Sequence, residues 1–164
     1  MTHQVLPRAE YHASLATKRS AAGVLLFNRA NELLLVQPTD KKVWTLVGGV
    51  IDAFESPQQA AMREIKEEIG LDINQLALRL IDYCYRPIEQ NESYQFIFSG
   101  DILTEAQIAA IKLPPEELKA FIFVKVEEIE NYISNHGFER IRKALEALKN
   151  NTCYYHENQA LLKE

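Results

Sequence analysis

The sequence predicts an α/β fold, an α/β/α sandwich on a mixed β-sheet, and three observations point to it. Short aliphatic runs separated by polar turns read as strands. A well-capped amphipathic helix follows the third run, and a second amphipathic helix comes near the end of the chain. A helix inserted after three strands, with further helices at the end, suits a sheet covered on both faces.

Residues 1–17 precede the first strand and read as an N-terminal arm, residues 18–150 as the domain, and residues 151–164 as a C-terminal tail. Residues 21–27 (AAGVLLF) and 32–36 (ELLLV) flank the polar turn Asn28-Arg29-Ala30-Asn31 and read as a β-hairpin. After the turn Asp40-Lys41-Lys42, residues 43–47 (VWTLV) form a strand running into Gly48-Gly49. The helix that follows is marked at both ends: Ser56 as N-cap, Pro57 at the first helical position, Gln59 completing a capping box, and Gly70 as the stop. Met62, Ile65 and Ile69 give it an apolar stripe. Residues 76–86 and 94–99 read as strands around a turn at 87–92. Thr104 and Gln107 cap a short helix over 104–111, and a proline-stiffened loop (LPPEE, 113–117) leads to a strand at 121–126. A helical turn at 127–132 follows. Phe138, Ile141, Leu145 and Leu148 then define the closing helix.

The capped helix carries the densest carboxylate cluster of the chain, in Arg63-Glu64-Ile65-Lys66-Glu67-Glu68. Glu64, Glu67 and Glu68 are spaced i, i+3, i+4 and share one face. Like charges at that spacing destabilise a helix by roughly 0.2–0.5 kcal/mol per pair. A hard divalent cation reverses the sign of that cost, because it prefers carboxylate oxygens and completes its shell with water and phosphate. The segment is a candidate metal and phosphate site on residue chemistry alone.

Composition narrows the function classes. With 164 residues, 47% apolar and 25% charged, the chain is long enough for one domain with a sizeable core. A net charge of −5 argues against a binder of nucleic-acid polymers or anionic membranes. No apolar run approaches the length needed to span a bilayer, and the N-terminus lacks the apolar stretch of a secretory signal. Cys84 and Cys153 have no metal-site spacing and are expected as free thiols in a reducing cytoplasm.

Residues 49–71 also match a family signature, G-x5-E-x7-R-E-U-x-E-E-x-G-U with U a bulky aliphatic. Gly49, Glu55, Arg63, Glu64, Ile65, Glu67, Glu68, Gly70 and Leu71 fill every specified position. The chain therefore resembles a Nudix hydrolase, and the flanking strands extend the resemblance across most of residues 18–150. The resemblance implies a Nudix-type sandwich with the catalytic loop and helix after the third strand. It also implies cleavage of the pyrophosphate bond of a nucleoside diphosphate linked to another group, with Mg²⁺, or Mn²⁺, as cofactor. Carried over onto this sequence, Glu67 and Glu68 are metal ligands and Glu64 is a ligand or the general base. The carbonyl of Gly48 is a further ligand, Arg63 orients a glutamate, and Glu55 supports the loop. A glutamate of a later loop, Glu116 or Glu117, is the alternative base. Many members are dimers, and the N-terminal arm could contribute to a homodimer.

The substrate is expected to be a nucleotide-type small molecule: ADP-ribose, a nucleotide sugar or an (oxidised) nucleoside triphosphate. Trp44, Phe54 and Glu117 are the leading candidates to touch it, with Tyr83, Tyr85, Tyr94 and Phe96 as further aromatic residues. Arg19, Lys41 and Lys42 could meet phosphates, although a solvated charge is the ordinary role of each. Pro87, 16 residues beyond Leu71, is similar to a proline of ADP-ribose-cleaving members. Two positions depart from common members: Val47 stands where many have proline, and Phe54 where many have glycine. Two rival readings are a non-catalytic nucleotide-binding or sensor module and an isomerase on the same fold. The isomerase requires a cysteine and histidines in a motif that this chain does not show.

Overall fold

The computed structural model describes residues 7–86 and 91–159. An exposed helix α1 (Arg8–Ser14) precedes β1 (Arg19–Leu25), β2 (Glu32–Pro38) and β3 (Val47–Val50). Next come α2 (Pro57–Ile69), β4 (Ala77–Arg86), β5 (Asn91–Ser99), α3 (Glu105–Ala109) and β6 (Leu118–Lys125). A 3-10 helix (Val126–Asn131), α4 (Asn135–Lys149) and β7 (Tyr154–Gln159) complete the order. Pro87 and most of its expected turn lie outside the described residues.

Five strands make a mixed sheet in the order β3-β1-β5-β4-β7. The β1–β5 and β4–β7 pairs are parallel, and the other two pairs are antiparallel. β2 and β6 form a separate antiparallel pair. Alternation along β1 divides the interior in two. Ala22, Val24 and Leu26 pack with Ile65 and Ile69 of α2, whereas Leu25 and Phe27 pack with Ile141 and Ala144 of α4. β2 is apolar on both faces, so Leu34 and Val36 join the α2 side and Leu33 and Leu35 the α4 side. Each such leucine, removed fully from water, contributes on the order of 1.5–3 kcal/mol. The expected α/β/α sandwich is the observed one.

Three local expectations are corrected. β1 and β2 meet at the Phe27–Leu33 bridge but do not continue as a hairpin. Both edges of β1 are occupied, by β3 and β5, so β2 pairs with β6 instead. The third strand begins at Val47 rather than Val43 and runs through Gly48-Gly49, which pair with Gly23 and Ala22. Residues 154–159, read as part of a tail, add β7 to the edge of the sheet beside β4.

The signals at the ends of α2 act as expected. The Ser56 hydroxyl accepts from the Gln59 N–H at 3.2 Å, and the Gln59 side-chain oxygen accepts from the Ser56 N–H at 3.0 Å. Gly70 ends the helix at φ +74° and donates its N–H to the Lys66 carbonyl. Ala60 and Ala61 are fully buried beside Ile65 and Ile69, and Met62 of the expected stripe is half-buried. Replacing Ser56 by alanine removes one acceptor at the helix start. The expected loss is about 1 kcal/mol, read as a lower urea midpoint with an unchanged slope.

Candidate active site

Two glycines bring the third strand and α2 together. Gly48 has φ +144°, and a Cβ there would stand 2.1 Å from the Ala22 carbonyl oxygen, so β3 approaches β1 as only glycine allows. A Cβ on Gly49 would fall 2.4 Å from a Glu64 carboxylate oxygen. Both positions are therefore fixed by what lies against the backbone: the neighbouring strand for one, the Glu64 carboxylate for the other.

The three glutamates of α2 occupy different surroundings. Glu67 is half-exposed, while Glu64 keeps only 14% of its side chain accessible. Glu68 accepts the Gly48 N–H at 2.8 Å. Burial pushes the Glu68 carboxyl up to about 7; the Gly48 hydrogen bond opposes this, and the charges of Glu64, Glu117 and Glu67 add to it. Burial also raises Glu64, against the pull of its hydrogen bond from Arg63. The cluster thus lies where α2 meets β3, half sunk into the protein, rather than on a fully solvated helix face.

Arg63 compensates the cluster. Its Nε and Nη2 donate to the two oxygens of Glu55, both at 2.9 Å. Its Nη1 donates to Glu64 at 2.8 Å and to Glu67 at 2.9 Å, and Nη2 also reaches the Val50 carbonyl at 3.1 Å. The paired guanidinium holds Glu55 below the usual carboxylate range, and Glu55 accepts the Asp52 N–H as well. Glu55 therefore acts on the glutamates by fixing Arg63. Glu117, exposed in the loop before β6, is near enough for its charge to raise both Glu64 and Glu68. Its backbone is tied down, with the N–H on the Pro114 carbonyl and the carbonyl taking the Thr39 N–H at 2.8 Å.

Among the described residues no three histidine, cysteine or acidic side chains converge as a ready-made metal cage. With Arg63 bridging Glu64 and Glu67, the glutamates are arranged around an arginine. The donor set is nevertheless all oxygen, and partial burial already raises two of its carboxyls, Glu64 and Glu68. That chemistry fits a hard divalent cation.

On the α4 side of β3 and β1 lies a cleft of about 240 Å³, with Gly48 and Gly49 at one end. Trp44 lines it, held by its N–H on the Tyr132 carbonyl at 3.0 Å and by an edge-to-face contact of the two rings at 6.3 Å. Of the residues read as substrate contacts, Trp44 borders the cleft and Glu117 faces the carboxylates. Phe54 does neither: its side chain is fully exposed at a turn, outside the cleft lining. Its φ of +66° supplies a physical reason for the glycine common at this position.

The strand aromatics lie elsewhere. Tyr83 stands opposite Tyr94 with ring centroids 5.4 Å apart, on the face that carries buried Phe98 toward α2. None of Tyr83, Tyr85, Tyr94 and Phe96 lines the cleft. The cleft is walled by the alternate positions, Gln95 and Ile97 of β5 and Arg86 of β4, and by His136 and Arg140 of α4. Sequence reading missed these residues. The polar run at Asp82, Cys84 and Arg86 was the available signal, because a fully covered strand face would be apolar. Lys41 and Lys42 are exposed and line no part of the cleft, and the two cysteines are free.

The NUDIX domain family matches residues 17–145. A Bacillus subtilis (strain 168) protein that carries a provisional name as an 8-oxo-dGTP diphosphatase is 40% identical over 81 residues, 49% of this chain and 52% of that protein. The dihydroneopterin triphosphate diphosphatase of Escherichia coli (strain K12) is 42% identical over 57 residues, 35% of this chain and 37% of that protein. The chain thus spans about half the length, or less, of the curated relatives it matches. Among solved structures, the NUDIX domain of Shewanella oneidensis NrtR complexed with ADP ribose superposes with a TM-score of 0.68. It is 17% identical, with 87% of this chain and 99% of that one covered.

Phe54 is an aromatic side chain in the left-handed region with no packing to compensate it. Phe54→Gly is expected to leave the protein as stable or to stabilise it by up to about 1 kcal/mol, measured by thermal denaturation. A clear loss of stability would show that the ring packs where the structure leaves it exposed.

Proposed function

This chain belongs to the NUDIX family, and from that membership and its carboxylate site we propose a divalent-cation-dependent pyrophosphohydrolase of nucleotide-type substrates. The observation that carries the reading is the seating of Glu68 and Glu64 against Gly48 and Gly49, with Glu67 joined to Glu64 through Arg63, beside a cleft lined by the same two glycines and by Trp44. Relatives named as diphosphatases of 8-oxo-dGTP and dihydroneopterin triphosphate support the bond class. No helix among the described residues is long and apolar enough to cross a membrane.

In this reading Glu64, Glu67, Glu68 and the Gly48 carbonyl hold the cation, Mg²⁺ or Mn²⁺. A cation there supplies charge neutralisation on two phosphates and a bound water of lowered pKa. Arg63, fixed by Glu55, keeps Glu64 and Glu67 oriented. The Glu117 carboxylate has no hydrogen-bond partner among the described residues, whereas Glu64 is held by Arg63 and Glu68 by Gly48. Glu117 is thus the carboxylate available to take the proton of the attacking water. Trp44 offers its ring to the nucleotide.

Two measurements test this. With Mg²⁺ or Mn²⁺ the protein is expected to hydrolyse at least one of ADP-ribose, a nucleotide sugar, a dinucleoside polyphosphate or an (oxidised) deoxynucleoside triphosphate. Glu67→Gln and Glu68→Gln should each lower the rate about a hundredfold or more. Glu117→Gln should lower kcat while leaving cation affinity nearly intact. No turnover across the set would favour a nucleotide-binding module instead.

The second measurement needs no substrate. Mg²⁺ at a hundred times its Kd should stabilise the protein by about 2.7 kcal/mol, seen as a higher Tm. Sodium at matched ionic strength should not reproduce the effect, and Glu68→Gln should abolish most of it. An equal response to sodium would mean general screening and no cation site.

A further inference from the structure

The cleft continues past the nucleotide reading into a polar end that the carboxylate chemistry does not use. Strand register lays it out in rows. Gly23 of β1 pairs with Gly48, Ala21 lies beside Gln95, and Arg19 lies beside Ser93. Across β5, Gln95 faces Asp82, Ser93 faces Cys84 and Asn91 faces Arg86. The face thus passes from small apolar residues near the carboxylates to polar and basic ones at the far end. Arg19 from β1, Arg86 from β4 and Arg140 from α4 frame a hollow there of about 190 Å³, together with Ser93 and Gln95. Arg86, Gln95 and Arg140 also wall the main cleft, so the two spaces adjoin.

Arg140 is held in place from behind. Its Nε donates to Asp82 Oδ2 at 2.8 Å and its Nη2 approaches Cys84 Sγ at 3.0 Å, while the other Asp82 oxygen meets His156 Nδ1 at 2.8 Å. Asp82 is fully buried and is held by three partners, because the Cys84 thiol also donates to Oδ2 at 3.3 Å. The Arg140 Nη1 edge has no protein partner among the described residues. Three guanidinium groups, from β1, β4 and α4, line this one hollow. Planar guanidinium forks together with a hydroxyl and an amide are the donor set that recognises phosphate or carboxylate.

Resting on the pyrophosphohydrolase reading, we propose that the hollow framed by Arg19, Arg86 and Arg140 is a subsite for a second anionic group, carried by the substrate away from the scissile diphosphate. Gly23 and Arg19 are four residues apart on one strand, about 13 Å. That exceeds the separation of neighbouring phosphates, so the group is not part of the diphosphate at Gly48-Gly49. The substrate class is then a nucleotide whose nucleoside or leaving moiety bears an additional phosphate or carboxylate.

Two matched pairs of probes test the subsite and identify its source: ADP-ribose against 2′-phospho-ADP-ribose, and UDP-glucose against UDP-glucuronate. Dissociation constants are measured calorimetrically in EDTA, so that hydrolysis does not enter. The more anionic member of at least one pair is expected to bind about tenfold tighter. The phosphate pair would identify a phosphate subsite and the sugar pair a carboxylate subsite. Arg19→Gln and Arg86→Gln should each cut the preference to threefold or less, with Tm reporting that the variants fold. Equal or undetectable binding within both pairs overturns the subsite, as does a preference that survives both substitutions. Hydrolysis of ADP-ribose without any preference would remove the subsite alone. A preference without hydrolysis of any nucleotide would remove the pyrophosphohydrolase reading and leave the subsite standing.

Discussion

The close approach of β3 to its neighbours on both sides is the constraint on which the rest depends. Gly48 lies against the Ala22 carbonyl of β1, and Gly49 lies under the Glu64 carboxylate of α2. With side chains at these two positions, β3 would move off the sheet edge and the glutamates would lose their seat. The Gly48 N–H on Glu68 is then a bond between a strand and a helix fixed by backbone proximity. The capping box and Gly70 define the two ends of α2, so its register on β3 is set locally and the carboxylates inherit that precision.

Holding several carboxylates half-buried is electrostatically costly, and the protein meets that cost with one arginine. Arg63 binds Glu55 with two donors, an arrangement more directional than a lysine could provide, and uses its remaining donors on Glu64, Glu67 and the Val50 carbonyl. Glu68 lies outside that network: burial raises its carboxyl, and the one backbone donor, the Gly48 N–H, opposes the rise. The same economy recurs across the sheet, where buried Asp82 is satisfied by Arg140 and His156. Removing a partner from a charge as fully buried as Asp82 typically costs about 3–5 kcal/mol, which makes that centre structural.

What sequence revealed and what it hid divide along contact range. Ser56, Gln59 and Gly70 act within a turn of their own positions, so the limits of α2 and the grouping of Glu64, Glu67 and Glu68 were legible. The partner of β2 was not, because the hairpin signal at Asn28–Asn31 is local, whereas the edges of β1 are filled from β3 and from distant β5. β7 was invisible for the same reason: residues 154–159 pair with β4, more than seventy positions earlier. Alternation told which residues of β4 and β5 share a face but not which face meets the cleft. The aromatic sets therefore drew attention away from Gln95, Arg86 and Arg140. At Phe54 an unusual residue type marked a left-handed backbone position, with no contact to the site.

The placement of β7 bears on how the chain acquires its structure during synthesis. It is the last of the seven described strands to leave the ribosome, yet His156 completes the bonding of a carboxylate in the middle of the sheet. Until then β4 has an open edge, and Asp82 has only the Cys84 thiol beside it and Arg140, which itself emerges shortly before on α4. Pairings of such long sequence separation form slowly. A nascent chain halted before residue 154 would therefore hold a formed carboxylate helix beside an unfinished sheet, with its exposed strand edge open to pairing with other chains.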